Sequence, residues 1–308
     1  MAALIYGAAA LLLCAGLMLL GRVAYVAFAR FDAEHELTTA DNPAVGTALF
    51  GFLGGLVVVL AALLATPGAP LDDPTAVAWD LAEILIYGVV SILLLKLSGW
   101  INDRLLLHRF ENKKELVDDR NVGAGAVLCG SYLASGLVLA GAFSGQVDPA
   151  LIDPDAGHLA VLGHELLVGL AFYGLGQVAL VLYGLLYQAV TPGDLHEHIA
   201  RDYEVGGVKH GGNMAAGVAF GGNLAAVGVL LYGGAHGDFV SWTENLTTFG
   251  LTVGLGFVLL PLWRLFVDHV LMGAAALDKE IFEDRNVNAA LLETVAMIGL
   301  AAVITLVV

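Results

Sequence analysis

Six acidic or histidine residues lie inside long apolar stretches of this sequence, where side-chain chemistry is least expected. They are Asp80, Glu83, His164, Glu165, Glu244 and Glu293. An ionisable group within an apolar run long enough to cross a bilayer marks an ion path, a relay or a buried pair. Asp80 and Glu83 stand three residues apart, so a helix puts them on one face. His164 and Glu165 occupy a similar depth two runs later, and Glu244 does so in the next run but one. The first run offers only Tyr6 at that level. Such acids can form an electronegative mouth that concentrates cations. With His164 they can form a proton relay. The plainer alternative is a set of interfacial side chains whose heads reach water. Glu293 is different. It lies two turns inside the last run, where the corresponding positions hold Leu49, Leu128 and Phe220. It is expected to face a helix partner or a wet cavity.

A second constellation repeats along the chain. Glu36-LTTAD-Asn42, Glu115-LVDDR-Asn121 and Glu280-IFEDR-Asn286 share a Glu-x5-Asn spacing, and Asp-Arg-Asn-Val recurs verbatim at 119–122 and 284–287. A fourth copy, Asn213, is preceded by the degenerate stretch GGVKHGG. Asn is a good helix N-cap, and acids just before it suit the positive helix end. Four residues after each Asn stands a small residue, Gly46, Gly125, Gly217 or Ala290, which lets neighbouring helices approach closely. Capped, tightly packed helix starts are one reading. Asparagines lining a vestibule are the other.

Other chemistry finds little support. Asp194, His196 and His198, with His210 nearby, are of the type that holds a divalent ion. Their spacing matches no closed site, so an exposed polar loop and no metal are expected. GGVKHGG lacks the G-x4-GK[ST] pattern of a phosphate-binding loop and reads as flexible. No nucleophile or metalloprotease motif appears, which predicts a protein that is not an enzyme and takes no cofactor. A net charge of −16 argues against nucleic acid. Cys14 and Cys129 fall in apolar runs and read as core residues.

The elements that must position these residues are transmembrane helices. The chain is 58% hydrophobic and 14% charged, with a mean hydropathy of +0.82. Apolar runs at 2–28, 43–66, 77–99, 122–143, 159–190, 214–234, 241–266 and 287–308 are each long enough to span a bilayer. The third stays helix-compatible to about Phe110, and its charged end (Lys96, Asp103, Arg104, Arg109) is expected to project into water. Connections at 30–41, 103–120, 191–212 and 268–285 are charged, and every Lys and Arg lies in them or at adjoining helix ends. The opposite connections carry no Lys or Arg but hold Asp72, Asp73, Asp148, Asp153, Asp155 and Asp238. The positive-inside rule places the charged loops in the cytoplasm and both termini outside. The prediction is an all-α polytopic membrane protein of eight transmembrane helices. Its four two-helix repeats enter from one side and are therefore parallel. They form two four-helix halves, 1–150 and 151–308.

The Glu-x5-Asn lead-in, the Asp-Arg-Asn tripeptide and the Gly/Ala-rich helix after it resemble domain-of-unknown-function family 350, the YjfL-like bacterial inner-membrane proteins. Members of that family are about half this length, so the resemblance implies two such domains in tandem in a bacterial inner membrane. The third repeat departs from the pattern by lacking Glu-x5-Asn. The resemblance carries no established activity. It points to envelope-stress gene sets and a cytoplasmic stress-response partner. Two functions stay open: a channel or transporter for a small cation or protons, and a membrane scaffold that docks such a partner. The lipid bilayer is the one partner the composition demands, and a homo-oligomer is compatible with it.

Overall fold

The computed structural model describes residues 2–66, 70–107, 111, 113–148, 151, 157–273 and 275–308. Arg109, Asp153 and Asp155 lie outside the described residues, as does the side chain of His210. The long helices are α1 (Ala2–Ala27), α3 (Pro43–Ala65), α4 (Pro74–Ile101), α5 (Val122–Ala142), α6 (His158–Val190), α8 (Met214–Ala235), α9 (Trp242–Phe266) and α10 (Val287–Val307). Two short helices, α2 (Ala33–Thr38) and α7 (Leu195–Ala200), precede α3 and α8. All eight long helices are long and apolar enough to cross a membrane.

The helices form two layers. In the first, α3 packs on α5, α5 on α8, and α8 on α10, an unbroken row of the four asparagine-led helices. In the second, α1, α4, α6 and α9 neighbour one another in that order and lie along the row. The row is held by small residues in register. The residues nine positions after the leading asparagines (Gly51, Gly130, Gly222) meet those eight positions after the next one (Cys129, Gly221, Thr294). A Cβ on Gly130 would collide with the Gly221 backbone. Without a hydrophobic drive between helices in lipid, such backbone proximity supplies the packing. At the two free ends the same positions hold Phe50 and Val295, which are 66% and 64% exposed. Gly46, expected to admit a neighbour, faces open space. Bulky residues at both ends suit lipid and bar a fifth repeat from joining by the same interface.

The repeats alternate in kind, which favours a duplicated four-helix unit. The first and third each begin with a short helix capped by an aspartate, Asp32 on α2 and Asp194 on α7. The second and fourth instead carry paired π-helical segments, Asn102–Leu106 with Lys114–Asp118, and Val267–Met272 with Lys279–Glu283. A π-helix wraps five-residue hydrogen bonds and commonly marks a specialised site. The described helix after α4 therefore ends at Leu106 as a π-segment, and Phe110 lies outside the described residues.

The Gly-rich stretch before Asn213 is structured. Strands β1 (Tyr203–Val205) and β2 (Val208–His210) form an antiparallel hairpin. Its turn residues Gly206 and Gly207 both have positive φ, as two-residue hairpin turns require. Relative to the first repeat, the third thus keeps its aspartate-capped helix and inserts a hairpin before the asparagine. Flexibility was the wrong expectation because paired glycines between β-formers specify a turn.

Candidate functional site

The asparagines act as staples between repeats. Asn42 Oδ1 accepts from the N–H groups of Ala44 and Val45, while its Nδ2 donates to Glu36 Oε2 and to the Leu116 carbonyl, both at 2.8 Å. Asn121 repeats this with Ala124, Glu115 (2.7 Å) and the Ile199 carbonyl of the third repeat (2.9 Å). Asn213 caps Ala216 and donates to the Ile281 carbonyl of the fourth (3.0 Å). Asn286 caps its helix and binds Glu280 (2.8 Å). The residue before each asparagine, Asp41, Arg120, Gly212 or Arg285, has positive φ. This strained step turns the chain so that one side chain reaches both its own helix and its neighbour. Asn42, Asn121 and Asn213 are buried. Each is placed to join its own helix to the next repeat. In the third repeat His198 occupies the register of Glu36, counted from the capping aspartates, and its Nε2 faces the Pro192 carbonyl at 3.1 Å. His196 likewise turns Nε2 to the Leu106 carbonyl at 2.7 Å.

At the opposite membrane face, Asp80, Glu83 and Glu165 line one cavity of about 330 Å³ between α4 and α6, with His158 and Tyr87. Tyr6 donates to Asp80 at 2.5 Å, and Tyr87 donates to Glu165 at 2.8 Å. The remaining candidates do not join them. Glu244 is exposed in the first turn of α9, where its N–H is capped by Ser241. The His164 ring lies 6.1 Å from the Phe239 ring. Its Nε2 is buried with no hydrogen-bond partner among the described residues.

From Asp80 and Tyr87 in this cavity a polar stripe that sequence inspection missed continues along α4 through Ser91 and Ser98 to Asn102 at the start of the π-helical segment, with spacings of seven, four, seven and four. That spacing keeps them on one helix face. Ser91, Ser98 and Asn102 are buried. Ser98 Oγ meets Tyr173 Oη at 2.9 Å, and Tyr173 donates to the Leu94 carbonyl. Nearby, Gln177 donates to Ser135 at 3.0 Å. Ser91 Oγ, Ser131 Oγ and Asn102 Nδ2 have no hydrogen-bond partner among the described residues. The heptad-like spacing was the available signal.

Glu293 is fully buried and does face a partner. Arg264 Nε donates to its Oε1 at 2.9 Å, Asn223 Nδ2 does so at 2.8 Å and Tyr187 Oη at 3.4 Å. Arg264 Nη2 also pairs with Asp278 at 2.6 Å, and Tyr183 donates to Asn223. The guanidinium lies 5.6 Å above the Tyr187 ring. Arg264 was not singled out in the sequence, because nothing in its spacing marks it.

The first half has a counterpart with a different outcome. Lys96 does not project into water. Its ammonium lies 5.0 Å above the Tyr25 ring and 5.7 Å above Phe52. It borders a cavity of about 610 Å³ together with Asp103 and Arg104.

Eight apolar spans, a row of stapled parallel repeats and polar groups between the layers define a polytopic α-helical membrane protein built by internal duplication. The chain belongs to the family described as Domain of Unknown Function (DUF350), whose profile matches it twice, over residues 1–143 and 161–308. No curated protein and no solved structure matches it.

Proposed function

We propose that the protein is not an enzyme and that it moves protons or a small cation between the two faces of a bacterial inner membrane. The observation that carries this reading is the convergence of Asp80, Glu83 and Glu165 on one cavity at the junction of the halves. With the charged loops cytoplasmic, that cavity faces outward and draws cations from the external side. The polar stripe on α4 continues inward from it through buried hydroxyls. Buried hydroxyl and amide groups suit a proton, which moves by hydrogen-bond reorientation, better than a hydrated ion. In reconstituted liposomes the wild type is expected to dissipate an imposed pH gradient. Glu83→Gln and Glu165→Gln should slow it about 100-fold or more, the span of losing a positioned acid–base group. Dissipation no faster than in empty liposomes would reject the reading.

One observation favours the alternative, a scaffold docking a cytoplasmic stress-response protein. Among the described residues, only the third repeat inserts a hairpin, 203–210, on the charged-loop side. Deleting those residues should abolish recovery of such a partner from membranes while leaving liposome flux unchanged.

A further inference from the structure

The two halves place corresponding residues around one cation each. Tyr25 lies seven residues before the capping Asp32, and Tyr187 seven before the capping Asp194. Each tyrosine carries a cation over its ring, Lys96 from α4 and Arg264 from α9. Ten residues after the leading asparagine stand Phe52 in the first half and Asn223 in the second. Seven residues after the next leading asparagine stand Leu128 and Glu293. The second half therefore supplies its cation with a buried carboxylate and an amide to orient it. The first half has Leu128 where that carboxylate would be, and Leu128 lines the 610 Å³ cavity. Asp103, on the same cavity, acts on the Lys96 ammonium electrostatically, but no buried carboxylate stands at the position that Glu293 holds in the second half.

The cavity's lining fits an amphiphile. Among the described residues, four cations (Arg30, Lys96, Arg104, Lys113) outnumber two acids (Asp103, Glu111) there, in a chain with only 13 Lys and Arg. Its apolar wall includes Phe28, Leu93 and Trp100, which are 67%, 58% and 49% exposed and so continue onto the bilayer-facing surface. Basic pockets between membrane helices on the charged-loop side are suited to phosphate headgroups.

We infer that this cavity binds an anionic phospholipid, with the phosphate occupying, beside Lys96, the place that the Glu293 carboxylate occupies beside Arg264. The acyl chains run along Leu93 and Phe28. The fold thus carries one internal counter-ion and one borrowed from the membrane.

The test is native mass spectrometry of the full chain in detergent, titrated with phosphatidylglycerol, phosphatidylcholine or inorganic phosphate. Retention of phosphatidylglycerol over phosphatidylcholine is expected. Lys96→Gln should weaken it about tenfold, the loss of one charge-assisted hydrogen bond, and leave phosphatidylcholine unaffected. Leu128→Glu, which restores the internal carboxylate, should expel the lipid. Arg104→Gln, at the exposed rim, gives a second reading if either variant fails to fold, with a smaller loss expected. Equal retention of both lipids, or phosphatidylglycerol retention unchanged in the folded variants, overturns the proposal. Inorganic phosphate binding as tightly as the lipid overturns the lipid assignment and points to a soluble anion.

Discussion

Lys96 in the first half and Arg264 in the second meet one physical problem with different solutions. Both are cations within membrane-spanning helices, and both sit over a tyrosine in the same register. Arg264 is held by Glu293 and Asp278, while Lys96 faces a cavity. Duplication supplied two copies of a framework, and two exchanges, Phe52 against Asn223 and Leu128 against Glu293, decide whether the neutralising charge comes from the chain. The planar guanidinium suits the protein-supplied site because its donors reach two carboxylates at once. A lysine ammonium has no such fork and suits a site completed by a mobile headgroup.

The strongest way to break this comparison is to remove one partner in each half. Glu293→Ala should destabilise the protein by about 3–5 kcal/mol, because it leaves a buried guanidinium with part of its charge unmatched. Denaturant unfolding of the detergent-solubilised chain reads this directly. Lys96→Met in lipid-free detergent should cost less than about 1 kcal/mol or stabilise, since Leu128 stands where the second half has its buried carboxylate. Equal losses would mean that the two cations are held alike.

The row of repeats allows a second, smaller comparison. Asn121→Ala should cost about 3 kcal/mol, combining a lost helix cap of about 1 kcal/mol with unpaired buried groups at Ile199 and Glu115. Asn286→Ala lacks a following repeat to staple and should cost about 1–2 kcal/mol. Thermal shifts of the two variants in one detergent test the ranking, and a larger loss at Asn286 would contradict the stapled row.

The smallest expected effect is a pH dependence at Glu115. Burial raises its carboxyl above the usual range, and Asp119 and Asp202 push the same way, against the Asn121 hydrogen bond and Lys114. A folded-state value above the unfolded one means that the folded protein binds this proton more tightly. Its contribution to stability is therefore greatest in acid and declines as pH rises from the ordinary glutamate range to the raised value. Glu115→Gln, which keeps an acceptor for Asn121, should flatten the unfolding midpoint across that interval.

Much of the architecture was legible because lipid imposes length and composition. The eight spans, the Asn helix caps and the paired halves follow from run length and from the Glu-x5-Asn period. The sequence pattern also singled out Glu293 as anomalous, and burial beside Arg264 is the physical content of that anomaly. What escaped it were long-range pairings. Nothing local ties Asn42 to the Leu116 carbonyl or Tyr6 to Asp80, each 74 residues away. The stretch before Asn213 was read as flexible because the third repeat's register runs through Asp194 and the hairpin, a match visible only once α2 and α7 are compared as helices. Lys96 was read as water-facing from its place near a charged helix end. Its orientation depends on where Tyr25 and Phe52 fall, which periodicity within one helix does not give.

The contrast between the halves is tested most directly by an experimental structure of the chain in nanodiscs containing phosphatidylglycerol. The account predicts an elongated density with its head within hydrogen-bond reach of Lys96 and its tail along Leu93 and Phe28, and none beside Arg264. A vacant first-half cavity with Lys96 paired to Asp103, or lipid density at both cations alike, would contradict it.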